Sequence, residues 1–350
     1  MLAKNSNFIM SKDTVLSSVD DISNDIASVG ISDNDDIHGS CSTDSNTTEI
    51  CANCGKAGAS NTCNKCKLVK YCNASCKKKH RSKHKKDCED HIKRAAALNE
   101  EEMRRATELH DLELFKLPPL QEEDCPICFQ RLPWVGTGKR YQSCCGKFIC
   151  TGCIYAMDNE LCPFCRAQTP SSNEENIKRL KKLVELNDAN AMSNLAGYYS
   201  RGMLGLSQDH SKALELWKRA AEHGCGQAYH NIGVAYHLGE GVKIDEKKAI
   251  HYYEQGAMRG CVASRYNLGT FENNAGNTER ALRHYMISVA DGHHNSLKQI
   301  QQLYSQRRAT KDDYTKALRS YQKYLGEVKS SQRDEAAAAS DEHKYLGGLI

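Results

Sequence analysis

Residues 51–88 read CANCGKAGASNTCNKCKLVKYCNASCKKKHRSKHKKDC. Seven cysteines and one histidine stand here as four pairs, two spaced C-x-x-C and two with three residues between the partners. A C-x-x-C pair turns the backbone so that both thiolates face one ion, and the wider spacing places two ligands one helical turn apart. Eight such ligands are enough for two closed tetrahedral zinc sites. The pairs are Cys51 and Cys54, Cys63 and Cys66, Cys72 and Cys76, and His84 and Cys88.

The eight positions and the dipeptide Tyr71-Cys72 resemble the MYND zinc finger. The resemblance implies two interleaved sites and the docking of short, often proline-containing peptides of partner proteins. His80 and His91 are nearby alternatives to His84, which alone has the family spacing. Metal would supply the folding energy, because the segment has almost no apolar core. The obvious apolar residues are only Leu68, Val69 and Tyr71. The implied sets are Cys51, Cys54, Cys72 and Cys76 for the first ion, and Cys63, Cys66, His84 and Cys88 for the second.

A second cluster spans residues 125–165 and contains eight cysteines but no histidine. Its order, an opening pair, a central quartet and a closing C-P-x-C, resembles a RING finger. A usual RING finger has C-x-H where this chain has Cys145-Gly146-Lys147, and a protonated lysine cannot ligate. Cys144 is the natural substitute, which gives an all-cysteine variant; a weakened second site is the alternative. The implied sets are Cys125, Cys128, Cys150 and Cys153 for one ion, and Cys144, Cys145, Cys162 and Cys165 for the other.

The RING resemblance implies recruitment of a ubiquitin-conjugating enzyme, with no covalent catalytic residue in this chain. Ile127 and Pro163 match the apolar patch that contacts this enzyme, and Trp134 would extend the patch. Arg166, directly after the last cysteine, matches the basic residue that hydrogen-bonds both proteins in active RING fingers. The competing interpretation is that the apolar side chains, among them Phe148 and Phe164, only fill a small core between the ions.

Residues 172–330 carry a repeating helical pattern. A Lys-Ala or Arg-Ala pair is followed four residues after the alanine by Trp or Tyr, at intervals of 36, 32 and 36 residues. A glycine closes the first three of these units, and the third unit has a shortened inner loop, Asn274–Asn277. The recurring residues are Ala213, Ala249, Ala281 and Ala317, then Trp217, Tyr253, Tyr285 and Tyr321, then Gly224, Gly260 and Gly292.

This pattern is similar to the Sel-one-like repeat, a relative of the tetratricopeptide repeat. The resemblance implies a right-handed helical solenoid with a concave surface for a client protein. The predicted fold is therefore two small zinc-stabilised domains followed by an all-α solenoid. The predicted segments are a disordered acidic tail (1–48), the MYND-type finger (51–88), a helical linker (89–119), the RING-like finger (122–168), the repeats (172–330) and a tail (331–350).

Eighteen cysteines in a chain without a visible secretory signal or a membrane-spanning stretch favour metal over disulfides and predict the cytosol or nucleus. Cys41, Cys225 and Cys261 fall outside the clusters, and the last two are expected to be small buried residues. A net charge of +4 is too mild to require nucleic acid. The basic run 77–86 favours a solvated helix face over a localisation signal or a phosphate-binding patch.

The leading hypothesis is a zinc-binding adaptor with four Zn²⁺ that acts as a RING-type ubiquitin ligase. Substrates would bind through the MYND-type finger and the repeats, and the conjugating enzyme through the RING-like finger. A non-enzymatic scaffold for protein–protein interaction is the alternative. A methyltransferase is disfavoured, because no cofactor-binding motif of that class is present and the repeats leave no room for its catalytic domain.

Overall fold

The computed structural model describes residues 49–116, 124–134, 138–157 and 160–346. The predicted disordered tail, residues 1–48, lies outside this range, as do Pro118 and Pro119. The chain divides into two compact units, Met1–Leu109 and His110–Ile350. None of the described helices has the length and apolar character needed to cross a membrane.

The first unit contains a two-stranded antiparallel sheet and most of one long helix. Strand β1 (Asn61–Thr62) pairs with β2 (Lys70–Tyr71), and helix α1 (Ala74–Leu114) follows directly. Tyr71 is 1 % exposed and packs among the cysteines, whereas Leu68, predicted as a filler, is 64 % exposed. The metal ligands therefore supply most of the interior of this finger.

Helix α1 runs through the boundary that the sequence prediction placed between the finger and a linker helix at Glu89. No glycine or proline interrupts the 41 residues of α1, so the finger's helix and the linker helix are one element. Ion pairs at helical spacing join Glu101 to Arg104 and Arg105, and Arg104 to Glu108. The separate linker of the prediction is thus the continuation of α1.

The RING-like region in the second unit is a hairpin followed by a short helix. Strand β3 (Lys139–Gln142) pairs antiparallel with β4 (Lys147–Cys150), and α2 (Thr151–Tyr155) begins immediately afterwards. Leu132, Ile149 and Ile154 form a small apolar core together with the cysteines. Phe164, an alternative core residue in the prediction, is 46 % exposed.

Residues 173–328 form the predicted helical repeats, and consecutive helices pack against one another. Left-handed backbone at Gly224, Gly260 and Gly292, with φ of 81°, 78° and 89°, separates one repeat from the next. The helices are α3 (Asn173–Glu185), α4 (Ala189–Arg201), α5 (His210–Glu222), α6 (Gly226–Leu238), α7 (Glu246–Met258), α8 (Val262–Asn274), α9 (Thr278–Ala290), α10 (His294–Ser305) and α11 (Lys311–Val328).

The recurring residues of the repeat build its core. All four recurring alanines are fully buried, and the aromatic residues that follow them are at most 6 % exposed. Within the second and third repeat units the aromatic ring meets a glycine: Tyr253 lies against Gly233 and Tyr285 against Gly269. In these units the sequence pattern therefore repeats because a packing contact repeats, that of a small residue against an aromatic ring.

The sequence predicted a frayed helix and a tail at 331–350, and the structure forms the helix and also orders the residues that follow it, up to Leu346. Helix α12 (Ser331–Ala339) is followed by a 3₁₀ turn at Asp341–His343, and α12 packs against α2. Arg333 and Tyr345 are 0 % and 2 % exposed. The segment is ordered by tertiary contacts with the RING-like region, which its alanine-rich composition does not reveal.

The contact between ring and glycine predicts opposite effects for two alanine substitutions. A Cβ atom at Gly269 would lie 2.6 Å from Cε1 of Tyr285, so Gly269→Ala should lower the free energy of unfolding by about 1–3 kcal/mol. Gly326 in α11 has open space, so Gly326→Ala should raise it by up to ~1 kcal/mol. Urea denaturation followed by circular dichroism measures both; equal effects would contradict this packing.

Candidate metal centres

The structure brings sixteen side chains together as four sets of four. Within each set the sulfur or imidazole nitrogen atoms all lie within 4.8 Å of one another. They are the four sets that the spacings and family resemblances predict. The sets are Cys51, Cys54, Cys72 and Cys76; Cys63, Cys66, His84 and Cys88; Cys125, Cys128, Cys150 and Cys153; and Cys144, Cys145, Cys162 and Cys165.

The separations between sulfur atoms fit a tetrahedral zinc ion. Sulfurs bound at about 2.3 Å to one ion lie roughly 3.8 Å apart in a regular tetrahedron, whereas a disulfide brings them to about 2.05 Å. The Cys63–Cys88 and Cys128–Cys150 sulfurs are both 3.8 Å apart, and the Cys54–Cys72 sulfurs 3.6 Å. Donor type and distance therefore both suit Zn²⁺.

Four of the C-x-x-C pairs share one backbone device. The residue after the second cysteine has a positive φ, and its N–H donates to the carbonyl of the first cysteine, at 2.8–3.0 Å. This left-handed turn brings the two sulfurs of a pair together on one side of the loop. The residues in this position are Gly55, Lys67, Phe129 and Arg166.

His84 is the histidine of the second MYND set, rather than His80 or His91. It lies on α1 one turn before Cys88, is 6 % exposed, and its Nε2 is 3.3 Å from Sγ of Cys66. His80 instead places Nδ1 3.2 Å from the hydroxyl of Tyr71. Three residues stand between His84 and Cys88, and this spacing of about one helical turn places both on one face of α1.

The second RING-like set uses both adjacent cysteines. Gly146, with φ of 71°, donates its N–H to the carbonyl of Gln142 and closes the turn between β3 and β4. The Sγ atoms of Cys144 and Cys145 lie 3.4 Å and 3.9 Å from those of Cys165 and Cys162, respectively. The tight turn therefore directs two neighbouring sulfurs to one point.

The sulfur atoms of one set lie so close together that deprotonation of several of its cysteines is unfavourable when no cation is present. The hydrogen bond with Cys125, and then burial, raise the pKa of Cys150, while the pKa of Cys125 is lowered to about 4 by the same hydrogen bond. Burial, together with hydrogen bonds to Cys165 and Cys162, raises the pKa of Cys144. A divalent cation removes this cost, because it stabilises all four thiolates at once.

The residues predicted to contact a conjugating enzyme have different surroundings. Ile127 and Pro163 are half-buried, and Arg166 is exposed. Among the described residues no hydrogen bond or ion pair engages the Arg166 guanidinium. Trp134, predicted to extend the patch, packs on the repeats instead: its indole N–H donates to the carbonyl of Gly292 at 2.8 Å, and its ring lies tilted against that of His293, with the centroids 4.6 Å apart. That contact leaves Trp134 outside the patch.

Two arginines that the sequence did not single out join the RING-like region to the C-terminal helices. Arg131 forms ion pairs of 2.7 Å with both Asp291 and Glu327. Arg333 of α12 donates to the carbonyls of Arg131 (2.8 Å), Val328 (2.7 Å) and Gln130 (3.4 Å). No short-range sequence pattern marks either residue, because the contacts that join the RING-like region to the C-terminal helices link residues 160 or more positions apart.

Arg333 is also a neighbour of the first RING-like set. Its Nη2 lies 3.9 Å from Sγ of Cys128, and it is fully buried. No aspartate or glutamate of the described residues forms an ion pair with it, so thiolates are the anions available to balance its charge. A zinc ion with four thiolates carries a net charge of −2, which a buried guanidinium partly neutralises.

Comparison with known proteins identifies two of the modules. Residues 51–88 match the MYND finger, and residues 189–225 and 226–261 match the Sel1 repeat. The RING-like assignment rests on the cysteine sets alone. The MYND finger implies zinc binding, and both matched modules generally mediate contacts between proteins. The chain is thus a zinc-binding adaptor for protein–protein interaction.

Two solved structures resemble the repeat region. One is a Sel1 repeat protein from Oxalobacter formigenes, 29 % identical, with a TM-score of 0.40 over 54 % of this chain and 71 % of that one. The other is a protective antigen of uropathogenic Escherichia coli strains with an SLR fold, 20 % identical, with a TM-score of 0.40 over 54 % of this chain and 39 % of that one.

Arg333→Met should weaken zinc binding at the first RING-like site by about 10–100-fold, the usual cost of losing a group that supports metal ligands. Release of zinc to a chromogenic chelator measures this directly in the full chain. Arg319→Met, at an exposed position of α11, is the control and should release zinc like the wild type. Equal release from both variants would show that Arg333 does not act on the metal site.

Proposed function

We propose that the protein is a RING-type ubiquitin ligase in which the adaptor modules select the substrate. The RING-like finger would bind a ubiquitin-conjugating enzyme, while the MYND finger and the repeats hold client proteins. Metal binding by the four sets requires reduced cysteines, which suits a reducing compartment, so we place this activity in the cytosol or nucleus.

The observation that best supports the proposal is the position of Arg166. It occupies the left-handed turn that follows Cys165, with its N–H bonded to the carbonyl of Cys162 at 2.9 Å. The backbone at Arg166 is therefore fixed by the second RING-like set, while its side chain is exposed and free to bond a partner. Pro163 and the 46 % exposed Phe164 lie in the same loop.

In this mechanism the finger positions two other proteins and forms no covalent bond itself. Ubiquitin arrives as a thioester on a cysteine of the conjugating enzyme. The neutral amine of a substrate lysine attacks the thioester carbonyl, so that an isopeptide bond forms, the C–S bond breaks and the cysteine of the conjugating enzyme leaves as a thiol with the proton of the amine. Hydrogen bonds from the Arg166 guanidinium to both proteins would hold the thioester in an orientation suited to attack. Ile127 and Pro163 would supply the apolar contact with the conjugating enzyme.

The second candidate is a scaffold without ubiquitin transfer. It is favoured by the use of Trp134 and Arg131 in contacts with the repeats, since these residues serve to fix the finger rather than to bind a partner. Under this alternative the zinc sites stabilise a docking surface only. The two candidates differ in a single readout, the formation of ubiquitin chains.

An autoubiquitination assay with a panel of conjugating enzymes tests the proposal. Wild-type protein should form chains, and Arg166→Ala should reduce their rate by about 10–100-fold, the cost of a lost charge-assisted hydrogen bond of ~1.5–3 kcal/mol. Ile127→Ala should also reduce the rate. Arg201→Ala, an exposed arginine of the repeats, is the matched control. If wild-type protein forms no chains with any conjugating enzyme, the scaffold is the better account.

A further inference from the structure

Four basic side chains of α8 and α9 surround the last residues of α1. They are Arg265, Arg280, Arg283 and His284, here called the arginine cluster. Arg265 and His284 are 2 % and 0 % exposed, although buried positions seldom hold such side chains without an acidic partner. The residues they surround are His110–Lys116, which belong to the same compact unit.

Three side chains of this segment contact the repeats from one face of the helix. Asp111 forms an ion pair with Arg280. Leu114 is fully buried in a cluster with Tyr253 and Leu268. The spacing of Asp111, Leu114 and Phe115 is i, i+3 and i+4, which is the spacing by which a helix presents one face to a binding surface.

Phe115 lies among the basic side chains. The guanidinium carbon of Arg283 is 3.7 Å from the centre of the Phe115 ring, and that of Arg280 is 5.5 Å away. The imidazole of His284 lies on the same ring, with the centroids 4.5 Å apart. Phe115 is thus held by cation–π contacts and by a tilted ring contact with His284.

Arg265 holds the main chain of the segment. It donates to the carbonyls of Leu114 and, at 3.4 Å, of Lys116. These carbonyls lie at the end of α1, where the last four carbonyls have no partner within the helix. No ion pair joins Arg265 to a carboxylate of the described residues. The cluster therefore recognises the end of a helix as well as its side chains.

The cluster offers more hydrogen-bonding capacity than the segment uses. Among the described residues, Nε of Arg265 and both ring nitrogens of His284 are buried and have no hydrogen-bond partner. Among the ion pairs of the described residues, only Arg280 of the three arginines has carboxylate partners, Asp111 and Glu272. A more acidic ligand would satisfy groups that this segment leaves unpaired.

We propose that the arginine cluster is a peptide-recognition site for a helix end of the pattern acidic-x-x-Leu-Phe. The chain's own residues Asp111–Phe115 occupy it, and a partner protein that carries the same pattern with additional acidic residues takes their place. Leu112, 68 % exposed, and Glu113 point away from the site and do not contribute. The proposal is independent of ubiquitin transfer, because it concerns the repeats alone.

Fluorescence anisotropy of a labelled synthetic peptide, residues 104–116 of this chain, tests the site in the full-length protein. The wild type should bind the peptide weakly, because its own segment competes. Phe115→Ala should bind at least tenfold more tightly, because its own segment is loosened. Adding Arg283→Ala to Phe115→Ala should abolish this gain. A peptide with Asp111 and Phe115 both replaced by alanine should not bind.

Leu112→Ala is the matched control and should bind the peptide like the wild type. Asp111→Lys provides a second way to loosen the segment without reducing apolar contact, and it should also bind more tightly. Circular dichroism establishes that each variant is folded. Failure of both folded, loosened variants to bind would overturn the proposal. If the wild type is a dimer that the peptide converts to monomers, the site binds a second copy of this chain. That result would overturn the proposal that its ligand is a different protein.

Discussion

The constraint on which the structure depends is the close approach of four metal-ligand atoms at each of four points. Thiolates at such separations repel one another unless a cation lies among them. Neither finger has an apolar interior that could take the place of the cation: one is built around Tyr71, the other around Leu132, Ile149 and Ile154. The interior of each finger is thus built mainly from the candidate ligand side chains, whereas the repeats are built around buried alanines and aromatic rings.

The RING-like finger and the repeats are joined by side chains that have no role in either module alone. Arg131 pairs with Asp291 and Glu327, Trp134 bonds the carbonyl of Gly292, and Arg333 reaches from α12 to the finger. A finger held by three such contacts does not move freely on the repeats. For a ubiquitin ligase this would fix the distance between the conjugating enzyme and a client on the repeats; for a scaffold it would fix the distance between two partners.

Much of the site could be predicted because its chemistry is local in the sequence. A C-x-x-C pair needs only four residues, and family spacing was enough to select His84 over His80 and His91. The repeat could be predicted because its packing contact, a small residue against a ring, recurs at a near-constant interval. The predicted helix from Glu89 is present as far as Leu114, but its continuity with the helix of the finger could not be predicted, because the sequence shows the finger's end only by its last ligand, Cys88.

What could not be predicted depends on contacts distant in the sequence. Arg333 is an ordinary residue of an alanine-rich segment until the finger, about 200 residues earlier, is placed beside it. The position of Trp134 in its loop predicted that it belongs to an exposed patch, but in the structure it contacts Gly292 and His293 instead. The arginine cluster could not be predicted because Arg265 and Arg280 lie on helices of the repeats, and arginine on a helix is usually solvated. In each case a tertiary contact overrode the local expectation.

Hydrogen exchange of the full chain, with and without a strong zinc chelator, tests the central claim most directly. The account predicts that chelation removes protection from the amides of residues 51–88 and 124–168, and from α12 because it packs on the finger, while α4–α7 stay protected. Unchanged protection in both fingers after complete removal of zinc would contradict it.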